Sequence, residues 1–165
     1  MLLPLVRALY GTEPQFLWRD DEGQEHIITQ GEGGEQGDPL MPALYALAQH
    51  AALAEASGRL HPDDWLFAFL DDLYVVSNRD RAKWAYETVA HEVERQAGVR
   101  THLGKLQAWS AGGCDAPRGL EGLRSDGTPV WTGNLDGADN GVTCVGTPVC
   151  HAEYVRAHGR ERMAK

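Results

Sequence analysis

Two adjacent aspartates, Asp71 and Asp72, are the residues of this sequence that are best suited to do chemistry. They interrupt a dense apolar run, and the pattern predicts two strands, 65–70 and 73–76, joined by a two-residue turn. Such turns normally select Asn-Gly or Asp-Gly because they need positive φ, and two neighbouring carboxylates also repel each other. A bound Mg²⁺ would offset that repulsion, since this ion prefers carboxylate oxygens, water and phosphate. The alternative is that the aspartates are only turn residues.

A glycine-rich segment, 31–37, leads into the second feature. Asp38 can cap a helix there and Pro39 suits its first position, so we predict a helix from Asp38 to about Ala56. Backbone amides at a helix N-terminus suit an anion or a nucleotide. An ordinary loop is the alternative, and Glu32 and Glu35 within the segment would repel phosphate.

The other periodic segments indicate a mixture of helices and short strands in one domain that spans residues 1–165. We predict a helix at 3–10, a hairpin of strands 15–18 and 26–28, a helix at 79–97 closed by Gly98, short strands at 106–109, 130–131 and 142–145, and a basic helix from about Ala152.

The composition is that of a globular protein, with 42% hydrophobic and 24% charged residues. No apolar run approaches the length of a membrane helix, so we expect no membrane partner. The 3 cysteines contain no CxxC pair, which favours reduced thiols and an intracellular location, with the nucleus as an option. The formal net charge of −9 argues against a free-standing nucleic-acid binder, because such proteins usually carry a basic surface.

Taken together, the features resemble the palm of a reverse transcriptase, the RNA-directed DNA polymerase of non-LTR retrotransposons. The segment 36–40, with sequence QGDPL, resembles its motif B, and the segment 69–72, with sequence FLDD, resembles its motif C. The segment 98–105 resembles motif D with its lysine, and 145–148 resembles the turn of the primer-grip region. The resemblance extends from about Leu5 to the end of the chain.

The resemblance implies an α+β palm-like fold. In that fold an antiparallel sheet would have the Asp71-Asp72 hairpin at its centre, and the helices 38–56 and 79–97 would pack on one face. It also implies nucleotidyl transfer with two Mg²⁺ ions, which stabilise the attacking and the leaving oxygen. The implied partners are an RNA template, a DNA primer and a dNTP.

The family's site residues are carried over onto the matching positions. Asp71 would be a catalytic metal ligand with Asp72 as its partner, and Lys105 would act near the pyrophosphate, unless it is a solvated loop lysine. The residues that the resemblance assigns to nucleotide and template binding are Gln36, Gly37, Asp38 and Pro39.

Three parts of the family pattern have no counterpart in this sequence. Nothing in residues 1–30 resembles the motif A strand with its aspartate, because Asp20 and Asp21 belong to a polar turn. Fingers motifs and a thumb beyond the last short helix are absent as well, so the metal site would be incomplete. We therefore expect a fragment that is inactive alone, with a protein partner that supplies or replaces the missing segments. The alternatives are a degenerate palm kept as a non-catalytic binding or structural module, and an unrelated α/β domain.

Overall fold

The computed structural model describes residues 3–29, 31 and 37–164, and this part of the chain has a mixed α+β architecture. Its helices and antiparallel strand pairs are α1 (Leu3–Tyr10), β1 (Gln15–Arg19) with β2 (Glu25–Thr29), α2 (Met41–Arg59), β3 (Trp65–Phe69) with β4 (Asp72–Val76), α3 (Ala82–Ala97), β5 (Arg124–Ser125) with β6 (Thr128–Pro129), β7 (Gly141–Cys144) with β8 (Thr147–Cys150), and α4 (Ala152–Met163). The chain forms two compact units, Met1–Met41 and Pro42–Lys165, each with most of its residue contacts within itself.

The smaller unit contains α1 and the β1–β2 hairpin. The main-chain N–H of Gly11 donates to the carbonyl of Arg7 at 2.9 Å and ends α1 as predicted. Asp20 organises the hairpin turn, because its Oδ1 accepts from the N–H groups of Glu22 and Gln24 while its Oδ2 lies 2.8 Å from His26 Nε2. These bonds lower the pKa of Asp20, the largest cause being His26. The hairpin prediction is confirmed, and Asp20 is a structural turn residue.

The larger unit has its core where α2 and α3 pack on one face of the β3–β4 hairpin. Leu66 pairs with Val75 and Ala68 pairs with Leu73, so these four side chains share the face toward the helices. Small residues let the helices approach closely. The buried members of this core are Ala52, Ala56, Leu60, Ala85, Val89 and Val93, and the half-buried ones are Leu53, Leu66, Leu73, Val75 and Val99.

The sheet differs from the prediction in two respects. The β3–β4 hairpin is a separate two-stranded sheet and not the centre of a larger one, because no third strand among the described residues pairs with it. The dense apolar pattern also predicts cover on both faces. The helices cover one face in the described chain. The alternation of a strand sends Trp65 and Phe67 to the other face, where they are 61% and 52% exposed and where the β7–β8 turn contacts Tyr74.

Most of the predicted helices are confirmed, with small shifts at their ends. The helix predicted from Asp38 begins at Met41 and continues to Arg59. The helix predicted at 79–97 is a short 3₁₀ turn at Arg79–Arg81 followed by α3, and Gly98 ends it in the left-handed region with φ 69°. No helix in the described ranges is long and apolar enough to cross a bilayer.

The segment between α3 and β7 is largely irregular and is anchored by tryptophans. Trp131 is 6% exposed, and its Nε1 donates to the carbonyl of Cys114 at 3.2 Å. Trp109 Nε1 donates to Asn140 Oδ1 at 2.8 Å. The strands predicted at 106–109 and 130–131 are reduced to a single bridge between Ala108 and Trp131, because loop contacts satisfy the neighbouring backbone. These contacts position the β7–β8 hairpin that follows.

Two carboxylates with buried side chains form ion pairs in the larger unit. The side chain of Asp64 is 0% exposed and accepts from Arg81 Nη2 at 2.8 Å. The side chain of Glu92 is also 0% exposed, with Arg95 Nη2 at 2.6 Å from its Oε2 and Arg59 Nη1 at 2.7 Å from its Oε1. Hydrogen bonds from Arg81 and from Arg95 are the largest causes that lower the pKa of Asp64 and of Glu92 respectively.

These pKa values predict acid sensitivity. A carboxylate with a lowered pKa in the folded state stabilises the fold above its ordinary pKa and loses that effect as the pH falls through the lowered value. We expect the urea midpoint to fall from about pH 5 downward. Glu92→Gln should lower the midpoint at pH 7 by about 1 M, because two arginines lose their charged partner, and should flatten the pH dependence.

Glu94→Gln is the matched control, since Glu94 lies on the same helix and pairs with Arg100 at the surface. Its midpoint should stay close to that of the unmodified protein. Equal midpoints for Glu92→Gln and Glu94→Gln at pH 7 would show that the buried carboxylate does not stabilise the fold.

Candidate functional site

The aspartate pair lies at the tip of the β3–β4 hairpin, one residue out of register with the prediction. Phe69 pairs with Asp72, so the two-residue turn consists of Leu70 and Asp71, and Asp72 is the first residue of β4. Both aspartates are exposed. Asp71 therefore belongs to the turn and Asp72 to a strand.

Leu70 gives this turn an unusual backbone. Its φ is 54°, in the left-handed region that leucine rarely adopts. Glycine or asparagine would normally occupy such a position. The sequence places a leucine there, half-exposed and immediately before the two carboxylates. Backbone strain of this kind persists where the surrounding structure fixes it, often beside a functional group.

Helix α2 contributes Tyr45 to the surroundings of the tip. Burial and then the negative charge of Asp71 raise the pKa of Tyr45, while a hydrogen bond with Gln49 lowers it. Gln49 is only 2% exposed and lies one helical turn after Tyr45. The buried face of α2 therefore holds a phenol near the turn that carries Asp71.

The turn between β7 and β8 reaches the other side of the pair. The N–H of Val145 donates to the Tyr74 hydroxyl oxygen at 2.7 Å, and the same hydroxyl donates to Asp72 Oδ2 at 3.2 Å. Burial and then the charge of Asp72 raise the pKa of Cys144. Tyr74 thus links the carboxylate of Asp72 to a second hairpin.

Tyr74 and Arg162 together hold this second turn. Burial is the largest cause that raises the pKa of Tyr74, and the charge of Asp72 adds to it. Val145 has φ 49°, a strained value for a β-branched residue, and Gly146 follows with φ 73°. Arg162 of α4 donates to the Gly146 carbonyl at 2.9 Å. A basic side chain therefore lies at the turn that contacts Tyr74.

The residues predicted to bind nucleotide and template lie in the smaller unit. Gln36 falls outside the described residues. Gly37 has φ 96°, and Pro39 follows in a turn that enters α2. Asp38 Oδ1 accepts from the Leu40 N–H at 2.8 Å, one residue before α2 begins at Met41. Asp38 therefore stabilises the turn that leads into the helix, and the predicted cap at Asp38 with Pro39 at the first helical position is not found. Their proximity to the aspartate pair stays a prediction.

Asp38 has a second bond that the sequence did not suggest. The Tyr10 hydroxyl donates to Asp38 Oδ2 at 2.5 Å. This bond is the largest cause that lowers the pKa of Asp38, and the bonds from Leu40 and Met41 add to it. The carboxylate of Asp38 therefore serves the local fold of the loop, where it joins α1 to the start of α2.

Lys105 lies exposed at the end of a short 3₁₀ helix, Leu103–Lys105. Its main-chain N–H donates to the carbonyl of His102 at 3.0 Å. Its side chain forms no ion pair within the part of the chain that the structure describes. A role for Lys105 beside the aspartates stays a prediction.

The donor set fits a magnesium ion in part. Asp71 and Asp72 offer hard oxygen ligands at an exposed tip, where water and phosphate could complete an octahedral shell. No group of three or more His, Cys, Asp or Glu side chains that could hold a metal gathers anywhere in the described ranges. Two carboxylates are fewer than two ions require, so the described residues do not form the two-ion site that the resemblance implies, and a single ion at the tip stays a proposal.

Comparison with protein-family models, with curated proteins and with solved structures finds no match for this chain.

Several site contacts were not predicted from the sequence. Tyr45 and Tyr74 belong to no motif. Val145 belongs to the segment 145–148, but its bond to Tyr74 joins residues far apart in the chain and was not predicted. The one available signal was the aromatic residue two positions after Asp72, which the alternation of β4 places on the same side of the strand.

The strained turn predicts that the usual order of stability of alanine and glycine variants is reversed at Leu70. Glycine in a strand is usually less stable than alanine by about 0.5–1 kcal/mol. At Leu70 the left-handed backbone costs alanine about 1–2 kcal/mol but costs glycine little. We therefore expect Leu70→Gly to be more stable than Leu70→Ala by about 0.5–1 kcal/mol in urea unfolding.

The matched control is Leu66, which lies in β3 and contacts the core. There the ordinary order should hold, with Leu66→Ala more stable than Leu66→Gly. If the alanine variant is more stable than the glycine variant at both positions, the turn does not hold Leu70 in the left-handed region.

Proposed function

We propose that this chain is the palm portion of an RNA-directed DNA polymerase of the non-LTR retrotransposon type, and that it incorporates no nucleotide by itself. One observation supports this proposal most. Two segments that resemble successive parts of a palm, the helix after the motif B-like loop and the primer grip-like turn, both contribute to the surroundings of Asp71 and Asp72. From α2, Tyr45 lies within the electrostatic influence of Asp71. From the β7–β8 turn, Val145 bonds to the Tyr74 hydroxyl, which in turn bonds to Asp72.

The proposed chemistry assigns different tasks to the two carboxylates. Asp71, in the turn, is the principal magnesium ligand, and Asp72 is the second, oriented by the Tyr74 hydroxyl. Bound magnesium would neutralise charge on the attacking and leaving oxygens of the phosphoryl transfer. Lys105 would donate a proton or a positive charge to the pyrophosphate, and Gln36, Gly37, Asp38 and Pro39 would contact nucleotide and template.

The acidity of the chain supports a role as one part of a larger enzyme. A polymerase must neutralise the phosphates of template and primer, and most of that affinity comes from lysine and arginine. This chain has 15 such residues against 24 aspartates and glutamates. In the proposed enzyme, basic surface and a third carboxylate come from other segments, in the same polypeptide or in a partner.

A second candidate is a palm that has lost catalysis and serves as a binding module. The observation that favours it is the uncovered face of the β3–β4 hairpin, where Trp65, Phe67 and Phe69 are each more than half exposed. Such a face suits a protein contact. This candidate predicts a stable fold and no nucleotide incorporation under any reconstitution.

Reconstitution tests the first proposal. A reverse-transcriptase fingers and motif A segment is fused before Met1, and primer extension is measured on an RNA template with dNTPs and Mg²⁺. We expect extension by the fused protein and none by the chain alone. Asp71→Asn in the fusion should lower the rate by about 10³-fold or more, because removal of a metal ligand removes transition-state charge stabilisation.

Asp21→Asn is the matched control, because Asp21 is an exposed aspartate in the β1–β2 turn. It should leave the extension rate unchanged. Extension that survives Asp71→Asn would contradict the assigned role of the pair. A folded fusion without extension would favour the binding module instead.

A further inference from the structure

The outward face of the β3–β4 hairpin carries an aromatic row to which the proposed chemistry assigns no role, since that chemistry uses only Asp72 and Tyr74 of this face. We call it the outer face, and it consists of Trp65, Phe67 and Phe69 on β3 and of Asp72, Tyr74 and Val76 opposite them. Trp65 is 61%, Phe67 52%, Phe69 55% and Val76 56% exposed. Single exposed apolar residues are common on protein surfaces, but a contiguous row of this size usually marks a contact site.

The first two rings of this row form an open clip. The ring planes of Trp65 and Phe67 are 8° from parallel, and their centroids are 6.3 Å apart. A flat group that contacts both rings needs about 7 Å, which is twice a contact distance of about 3.5 Å. The planes are at most 6.3 Å apart, so the rings must separate by about 0.7 Å or more to admit such a group. With that separation the clip suits a planar side chain or a nucleobase.

The charges around the outer face decide between these two occupants. Asp63 lies two residues before Trp65, and its side chain is 82% exposed. Asp72 is the exposed cross-strand neighbour of Phe69, and Asp71 adjoins it. Neither β3 nor β4 contains a lysine or an arginine. The basic groups near Asp63 among the described residues are His61, whose Nδ1 lies 3.4 Å from Asp63 Oδ2, and Arg81, which pairs with the buried Asp64. Carboxylates at both ends of the row repel a phosphate backbone and attract a cation.

Arginine is the side chain that combines both requirements. Its guanidinium group is planar and stacks on aromatic rings, and its N–H donors match a carboxylate in pairs. Lysine lacks the planar shape. The free edge of β3 adds a backbone contribution, because β3 pairs with β4 alone among the described strands. An extended segment could bond to that edge and direct alternate side chains to the outer face.

We propose that the outer face binds an extended, arginine-bearing segment of a partner protein. One guanidinium group enters the clip of Trp65 and Phe67 and pairs with Asp63, and apolar side chains cover Phe69 and Val76. This site goes beyond the polymerase proposal and does not depend on it, since it needs neither metal nor nucleotide.

The test is fluorescence anisotropy with the full chain in EDTA, so that magnesium plays no part. The probes are three short labelled peptides, which alternate valine with arginine, with lysine or with glutamate, together with labelled oligo(U) and oligo(dT). We expect the arginine peptide to bind, the lysine peptide to bind several-fold more weakly and the glutamate peptide not to bind. Affinity should also fall as salt increases.

Variants locate the site. Trp65→Ala should weaken binding of the arginine peptide by about five- to tenfold, through loss of the stacking contact. Asp63→Asn should weaken it less and should reduce its salt dependence. Trp84→Ala is the matched control, because Trp84 is a 47% exposed tryptophan on α3. It should leave the affinity unchanged, and circular dichroism should show that all three variants are folded.

Three results would overturn the proposal. One is equal binding of the arginine and lysine peptides, which would mean that charge alone acts. Another is tighter binding of oligo(U) or oligo(dT) than of the arginine peptide, lost in Trp65→Ala, which would make the face a nucleic-acid platform. The third is a dimer in sedimentation that Trp65→Ala converts to a monomer, which would make a second copy the occupant.

Discussion

The packing of the β3–β4 hairpin on α2 and α3 is the constraint on which the rest of the larger unit depends. Leu66, Leu73 and Val75 face the helices, and the period of two along each strand then fixes every other side chain. Asp72 must lie on the uncovered face and Asp71 in the turn. A shift of one residue would exchange the faces, so the apolar pattern that builds the core also presents the carboxylates.

The same constraint accounts for the strain at the tip. The two-residue turn needs a left-handed residue, and the register assigns that position to Leu70. The β7–β8 turn bonds to Tyr74 beside this tip, and the charge of Asp71 acts on Tyr45 of α2. Two exposed like charges on a strained turn are unfavourable for folding alone. That cost is understandable if the carboxylates have a ligand or a cationic partner.

Local signals were sufficient to predict much of the fold. Periodicity and capping predicted α1 and α3, and turn chemistry predicted the β1–β2 hairpin. The observed turn, Leu70 and Asp71, differs by one residue from the predicted turn at Asp71 and Asp72, because leucine carries no turn signal. The exposure of one face of the β3–β4 hairpin was not predicted either. An apolar strand indicates that both of its faces should be buried, but not whether other residues of this chain bury them.

Less of the candidate site than of the fold could be predicted from the sequence. Asp71 and Asp72 stand out by residue type, whereas Tyr74 and Val145 meet only through tertiary packing. Asp38 was assigned to nucleotide binding, and its carboxylate is occupied by Tyr10 and Leu40 in the smaller unit. A residue's type can thus suggest chemistry while the fold uses its polar atoms for local structure.

The central proposal is that the hairpin tip binds a divalent cation through Asp71 and Asp72, near α2 and the β7–β8 turn. Substoichiometric Mn²⁺ can test it, because this ion broadens the NMR signals of nearby nuclei and prefers the same oxygen ligands as Mg²⁺. We predict that the amide signals of Asp71 and Asp72 broaden first, with the ring of Tyr45 and the amide of Val145 next, and that excess Mg²⁺ restores them. Broadening at Asp20 and Asp21 with none at the hairpin tip would contradict the account.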